Sequence, residues 1–140
     1  MKELVIGRKQ YVADWVSEQM GCSRWTSDFE AFGIVCYGVI VAGVVVDGYV
    51  KGARCSVHCA GTGKYWLNRE LLQAVFRYVF VQLGCKVIVN PVSSSNAASL
   101  RFTEHIGFTE VCRIEGGCPD GDLVIFKMPK ADCRWLECLK

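Results

Sequence analysis

A few residues of this sequence have the types and spacing to carry chemistry. His58 and Cys59 are adjacent, Asn96 stands three residues before Ser99 and seven before Thr103, and Lys64 ends the run Gly61-Thr62-Gly63-Lys64. Histidine titrates near neutrality and can take a proton from an amine. Cysteine attacks as a thiolate where its surroundings stabilise that form. Asn at a helix start either caps free N–H groups or turns to a ligand, and the two roles can coexist. Ser99 is an exposed helix hydroxyl or a ligand contact on the same reasoning. The glycine run, leading into a helix, offers free N–H groups and the positive end of a helix dipole to a phosphate. Lys64 and Arg69 would add charge there, and an ordinary strand-to-helix connection is the plain alternative.

Two familiar phosphate motifs do not fit that run. A P-loop needs Gly five residues before Gly63, where His58 stands, and Ser or Thr after Lys64, where Tyr65 stands. The dinucleotide fingerprint meets Trp66 at its third glycine. The nine cysteines are odd in number, scattered, and without a Cys-x-x-Cys pair. Neither a disulfide framework nor a zinc site is expected, and mostly buried, reduced thiols in a cytosolic protein are. A net charge of +2 gives no ground for a nucleic-acid partner. No signal peptide is read at the start. The apolar run from Ala31 to Val46 is shorter than the ~20 residues a spanning helix needs, and its glycines and β-branched residues favour strands, so no membrane is expected.

The elements that must position these residues follow from periodicity. Leu4 to Ile6 reads as a first strand. Arg8 to Met20 carries Tyr11, Val12, Trp15, Val16 and Met20 on one helical face and stops at Gly21. Phe32 to Tyr37, Val39 to Val46 and Ala53 to Ala60 read as a second, third and fourth strand. Asp47-Gly48 and Lys51-Gly52 supply turns between the last two. Asn68 to Leu83 is a helix with Leu71, Leu72, Val75, Val79 and Leu83 at helical spacing, followed by Gly84. Lys86 to Val89 is a fifth strand, closed by Asn90-Pro91. A helix runs from Asn96 to Gly107, then strands near Thr109 to Ile114 and Leu123 to Met128 around a loop with Gly116-Gly117 and Pro119-Asp120-Gly121. The chain, residues 1–140, is expected to be one α/β (α+β) domain with helices packed on a sheet.

Asn96, Ser99, Glu104 and Gly107-Phe108 together resemble the last cofactor-binding helix of the GNAT superfamily of acyl-CoA N-acyltransferases. Within it they are similar to the ribosomal-protein N-acetyltransferase subgroup. The preceding segment, with Glu70 at its start and Tyr78-x-Phe80 at its end, is similar to the same subgroup. The tail Cys133 to Leu136 resembles small GNAT-like proteins of tailed bacteriophages. The resemblance spans about His58 to Leu136 and fades before Phe32.

That resemblance implies a mixed, mostly antiparallel sheet whose fourth and fifth strands splay apart, with acetyl-CoA between them as acyl donor and no metal. His58, Cys59 and Ala60 would flank the pantetheine arm like a strand edge. Lys64, Trp66, Leu67, Asn68 and Arg69 would face the pyrophosphate, and Asn96, Ser99, Phe102 and Thr103 would form the far wall. The implied reaction is direct attack of an amine on the thioester, in the cytoplasm, or the host's cytoplasm for a phage protein. The implied acceptor is an amine, of a protein N-terminus, a lysine or a small molecule; the chain would be a monomer or homodimer. A backbone N–H near Cys59 would polarise the carbonyl, and His58 is the candidate base, a half-buried strand histidine being the alternative. Cys59 is the lesser candidate as a nucleophile, and His105 reads as a surface residue. Asp28 and Glu30 are candidates to hold the amine. Two departures stand out. Trp66 falls where the family's loop has its last glycine, and Thr103 where many members place a Tyr that protonates the leaving thiolate. A GNAT-fold protein that acts by binding a host or virion protein is the alternative. The tail is apolar enough to pack on the domain or on a second subunit.

Overall fold

The structure is a computed structural model, and it describes residues 2–21, 25–62 and 68–139, with side chains to Leu136. Seven strands form one sheet in the order β1-β2-β3-β4-β5-β7-β6: β1 (Lys2–Ile6), β2 (Glu30–Cys36), β3 (Val39–Val50), β4 (Arg54–Gly61), β5 (Val87–Ser93), β6 (Thr109–Cys118) and β7 (Gly121–Pro129). Every neighbouring pair is antiparallel except β4 and β5, which are parallel. The helices are α1 (Lys9–Met20), α2 (Arg69–Arg77) and α3 (Ala97–Ile106). This is the α/β arrangement expected, with the sheet mixed and mostly antiparallel.

Strand alternation sends the apolar residues of β2, β3 and β4 to two faces. On one, Phe32, Ile34, Val44, Val46 and Val57 pack under Leu71, Leu72, Val75 and Phe76 of α2, and Ile106, Phe108 and Trp135 extend the same core. On the other, Ala31 and Val45 meet Val12, Ala13 and Val16 of α1. Gly33 and Gly43 are cross-strand partners. They let α1 lie close: a Cβ on Gly43 would come within 2.6 Å of Val16 Cγ2. Each fully buried Leu, Val or Phe of these cores stabilises the fold by about 1.5–3 kcal/mol.

Several boundaries differ from the sequence reading, each for a local reason. Asp47-Gly48 does not turn the chain. β3 continues to Val50, with a bulge between Asp47 and Val50 where Gly48 takes φ +63°, and the reversal falls at Lys51-Gly52. The helix expected to reach Leu83 leaves α-geometry after Arg77, and Tyr78–Gln82 forms a π-helical turn in which Leu83 N–H donates to Tyr78 O at 2.8 Å. Asn90-Pro91 does not close β5, which runs on to Ser93. The C-terminal segment packs on its own domain. Cys133 and Trp135 are buried, Trp135 Nε1–H donates to Ile106 O at 2.9 Å, and the Arg134 guanidinium donates to His105 O. These bonds satisfy carbonyls at the end of α3 that its own helix leaves unpaired. No helix among the described residues is long and apolar enough to cross a membrane.

Candidate functional site

The splay begins where the β4–β5 ladder stops. The two strands pair only at Arg54↔Val87 and Cys55↔Ile88. Beyond that point side chains replace backbone partners. Ser56 Oγ donates to Val89 O at 2.7 Å, and Asn90 Oδ1 accepts from Val57 N–H at 2.9 Å. The Asn90 side chain is thus a buried wedge that holds the strands apart while satisfying the donor it exposes. Val89 O faces β4, so the ring nitrogen of Pro91, two residues on, faces the same side. Its missing N–H falls in the splay and costs β7 nothing, which is why β5 passes through a proline.

Val57 N–H points into the splay, and alternation turns Cys59 N–H the same way, while the main chains of His58 and Ala60 turn towards Val45 and Gly43 of β3. Of the three residues expected to flank a ligand arm, Cys59 therefore offers main-chain groups to the cleft. The cleft measures about 650 Å³, its open mouth included, and is lined by His58, Cys59, Asn90, Ser99, Phe102 and Thr103 among others. It continues past the end of β4, where Cys59, Ala60 and Gly61 face Asn96, Ser99 and Phe102 across about 1150 Å³ that likewise includes solvent. His58, Cys59, Ala60, Asn96, Ser99, Phe102 and Thr103 are thus brought to one continuous groove. Asn68 and Arg69 begin α2, where Asn68 Oδ1 accepts from Leu71 N–H at 3.0 Å as its cap. Lys64, Trp66 and Leu67 lie outside the described residues.

His58 Nε2 is 2.8 Å from Asp47 Oδ1, with side-chain exposures of 21% and 12%. The Trp25 ring lies tilted against the imidazole at 5.1 Å between centroids. Cys59 is partly buried, and burial pushes its thiol up to about 12, so the thiolate an attack would need is disfavoured. A thiol so raised is a poor nucleophile near neutral pH, whereas the N–H of the same residue faces the cleft. On α3, Asn96 Oδ1 accepts from Ser99 N–H at 3.0 Å, an N-cap. Thr103 is buried and its hydroxyl donates to Ser99 O at 2.7 Å, so the proton a donor would use is committed within the helix. Gly107, at φ +122°, ends α3 and lets Phe108 N–H return to Thr103 O at 3.2 Å.

Of the other candidates, Asp28 connects to the His58–Asp47 pair through Thr26, and Glu30 and His105 lie elsewhere. Glu30 faces a groove between β2 and α2 with Phe32, Arg77 and Tyr78, away from His58. Asp28 accepts from Thr26 Oγ1 at 2.8 Å. His105 is exposed in the last turn of α3. Asp47 and Asn90, absent from the residues singled out by sequence, both belong to the site. The signal for Asp47 was a carboxylate directly after a long apolar run, which also reads as a turn. For Asn90 none existed, since Asn-Pro reads as a strand end.

Among the described residues no three or more His, Cys, Asp or Glu are grouped to hold a metal ion. No family model and no curated protein matches the sequence. Solved structures do match in shape. YncA of Salmonella typhimurium, described as an acetyltransferase and solved with its cofactor acetyl-CoA, superposes with a TM-score of 0.71 at 16% identity over 92% of this chain and 94% of its own. Mutant forms of the spermidine/spermine N-acetyltransferase SpeG of Vibrio cholerae superpose at 0.74 with 13% identity over 100% of both chains. The ribosomal-protein-S18-alanine N-acetyltransferase of Escherichia coli superposes at 0.68 with 18% identity over 92% of this chain and 94% of its own. With its seven-stranded mixed sheet, parallel and splayed at β4–β5, the chain has the fold of the GNAT acetyltransferases.

Proposed function

We propose that the protein is an N-acetyltransferase that takes an acetyl group from acetyl-CoA and gives it to an amine. The observation that carries this reading is the splay itself. A parallel pair of central strands is wedged open by a buried asparagine, and a backbone N–H and a histidine stand at the opening. The group fits what is present. A thin arm needs a slot with apolar walls and an edge of main-chain groups, and Val57, Phe102 and the Cys59 main chain supply them. The fold shared with a protein solved with acetyl-CoA supports the choice of donor.

In this reading Cys59 N–H and its C=O flank the arm, with Ala60, Ser99 and Phe102 along it and Asn96 at its side. Asn68 and Arg69 would flank the phosphates at the start of α2, and the roles of Lys64, Trp66 and Leu67 rest on the sequence resemblance alone. When bound, acetyl-CoA supplies an activated acyl group. Cys59 N–H is fixed by the β3–β4 ladder before any reaction, so it can stabilise negative charge on the acyl oxygen without reorganising. His58 accepts a proton from the amine as the nitrogen becomes nucleophilic. Thr103 does not replace the missing proton donor, because its hydroxyl is bonded to Ser99 O. Water would then supply the proton that the departing thiolate needs. The phage origin, a cytoplasmic setting and a protein acceptor belong to this proposal too, on the sequence resemblance alone.

Release of thiol from acetyl-CoA, measured with a free-N-terminus peptide, lysine and spermidine in turn, tests it. Turnover with at least one acceptor is expected, retained in Cys59→Ala and lost in His58→Gln. Loss of activity in folded Cys59→Ala would make the thiol a participant, no turnover alongside clear acetyl-CoA binding would count against catalysis, and no binding at all would favour the second reading. That second reading, a GNAT-fold protein that acts by binding a host or virion protein, is favoured by the committed Thr103 hydroxyl.

A further inference from the structure

The imidazole of His58 is held more firmly than a proton acceptor on an open strand would be. In the β3–β4 pairing His58 lies opposite Val45 and Asp47 lies opposite Ser56. That places His58 and Asp47 on one face as diagonal neighbours, a separation that side chains of their length can bridge. Both oxygens of Asp47 are used: Oδ1 contacts His58 Nε2 at 2.8 Å, and Oδ2 accepts from Thr26 N–H at 3.3 Å. Thr26 is itself pinned, its hydroxyl accepting from Gly48 N–H at 2.9 Å and donating to Asp28 Oδ1 at 2.8 Å. The bulge at Gly48 turns that N–H to Thr26 and keeps the Asp47 carboxylate over the sheet. Trp25 closes on the imidazole and is anchored to α1 by its own Nε1–H, which donates to Ser17 Oγ at 2.8 Å. The ring is thus fixed at one nitrogen and along one face by two separate segments.

An ionised carboxylate only accepts hydrogen bonds, so the nitrogen bonded to it carries the proton. We propose that Asp47 is a positioning residue: by accepting from Nε2–H it fixes the His58 tautomer whose bare Nδ1 takes the proton of the attacking amine. The proposal rests on the reading of His58 as the base. In the step, an N–H bond of the amine breaks and an Nδ1–H bond forms. The resulting imidazolium stays paired with the Asp47 carboxylate, and His58, part-exposed at the cleft, passes the proton on to water. Asp47 touches neither the amine nor the acyl group; it acts through the ring.

With two histidines in the chain, a His105→Gln background leaves a single imidazole for nitrogen-15 NMR. In that background the neutral His58 ring is expected as the Nε2–H tautomer. Asp47→Asn should shift it towards Nδ1–H, because the amide can donate to Nε2 while still accepting from Thr26 N–H. An Nδ1–H ring with Asp47 in place, or tautomer populations unchanged by Asp47→Asn, would overturn the proposal without any substrate present. The kinetic arm uses acetyl-CoA and whichever of the three acceptors is turned over. Asp47→Asn should lower kcat by about 10²–10⁴-fold, from the ordinary contribution of a positioned base up to that of a base held in the wrong tautomer, with KM for acetyl-CoA nearly unchanged. An inactive His58→Gln beside a fully active Asp47→Asn sinks the positioning role alone. A fully active His58→Gln sinks the base reading and this proposal with it. Thermal melts of each variant separate these outcomes from misfolding.

Discussion

In the proposed reaction His58 would act through its ring and Cys59 through its main chain. The Cys59 thiol is pushed up to about 12 by burial, so what the residue brings to the cleft is its N–H, aimed by strand alternation. Both residues line the same cleft, so a ring that could accept a proton and an N–H that could donate to an acyl oxygen stand beside one opening. A different residue carries a cost that nothing in the site requires. Tyr37 sits at φ +51° beside Gly38 at φ +79° in the two-residue β2–β3 turn, and it is 85% exposed. A bulky residue in the left-handed region is strained, whereas Asn-Gly suits this turn type. Tyr37→Asn is expected to stabilise the protein by about 1 kcal/mol, read from the urea midpoint. An unchanged or lowered midpoint would show that the ring makes up for the strain.

The splay is a property of elements, and it hangs on Asn90. Asn90→Ala would remove the acceptor of Val57 N–H in a buried position, at a cost of about 1–3 kcal/mol. It would also let the strands close, so acetyl-CoA binding should weaken more than stability alone explains. Equal binding by folded Asn90→Ala would show that the wedge is not what keeps the cleft open. The sequence made most elements readable, because helical and strand periodicities and glycine stops are local signals. Gly21 and Gly107 end α1 and α3 as expected. What it could not show depends on partners far along the chain. Asn90-Pro91 reads as a strand end until β4 is seen to leave that side of β5 unpaired. Asp47-Gly48 reads as a turn until the β3–β4 register makes it a bulge aimed at His58. Asn96 and Ser99 were readable as a helix start. Their place across the cleft from Cys59 follows from the path of α3 over the sheet, and periodicity carries no trace of that path.

For the whole molecule, the buried thiols set an alkaline limit. Burial raises Cys55, Cys59, Cys85 and Cys133 above the ordinary thiol value. An unfolded chain would lose these protons first, near the usual thiol range, while the folded chain keeps the proton of Cys59 up to about 12. In that window the unfolded state binds fewer protons, so stability falls as pH rises, by about 1 kcal/mol per thiol per pH unit. The urea midpoint should therefore drop between about pH 8.5 and about pH 10.5, and less steeply in a Cys55→Ala, Cys59→Ala double variant. Equal slopes would mean the thiols are not the cause.

The same packed body leaves a cleft between β4, β5 and α3, and the account stands on what that cleft binds. Calorimetric titration of the full chain with acetyl-CoA tests this most directly. The account predicts saturable binding of one molecule per chain, abolished by Ser99→Arg, which would send a long side chain into the groove without touching the buried core. No heat of binding to the folded wild type, or equal binding by Ser99→Arg, would contradict it.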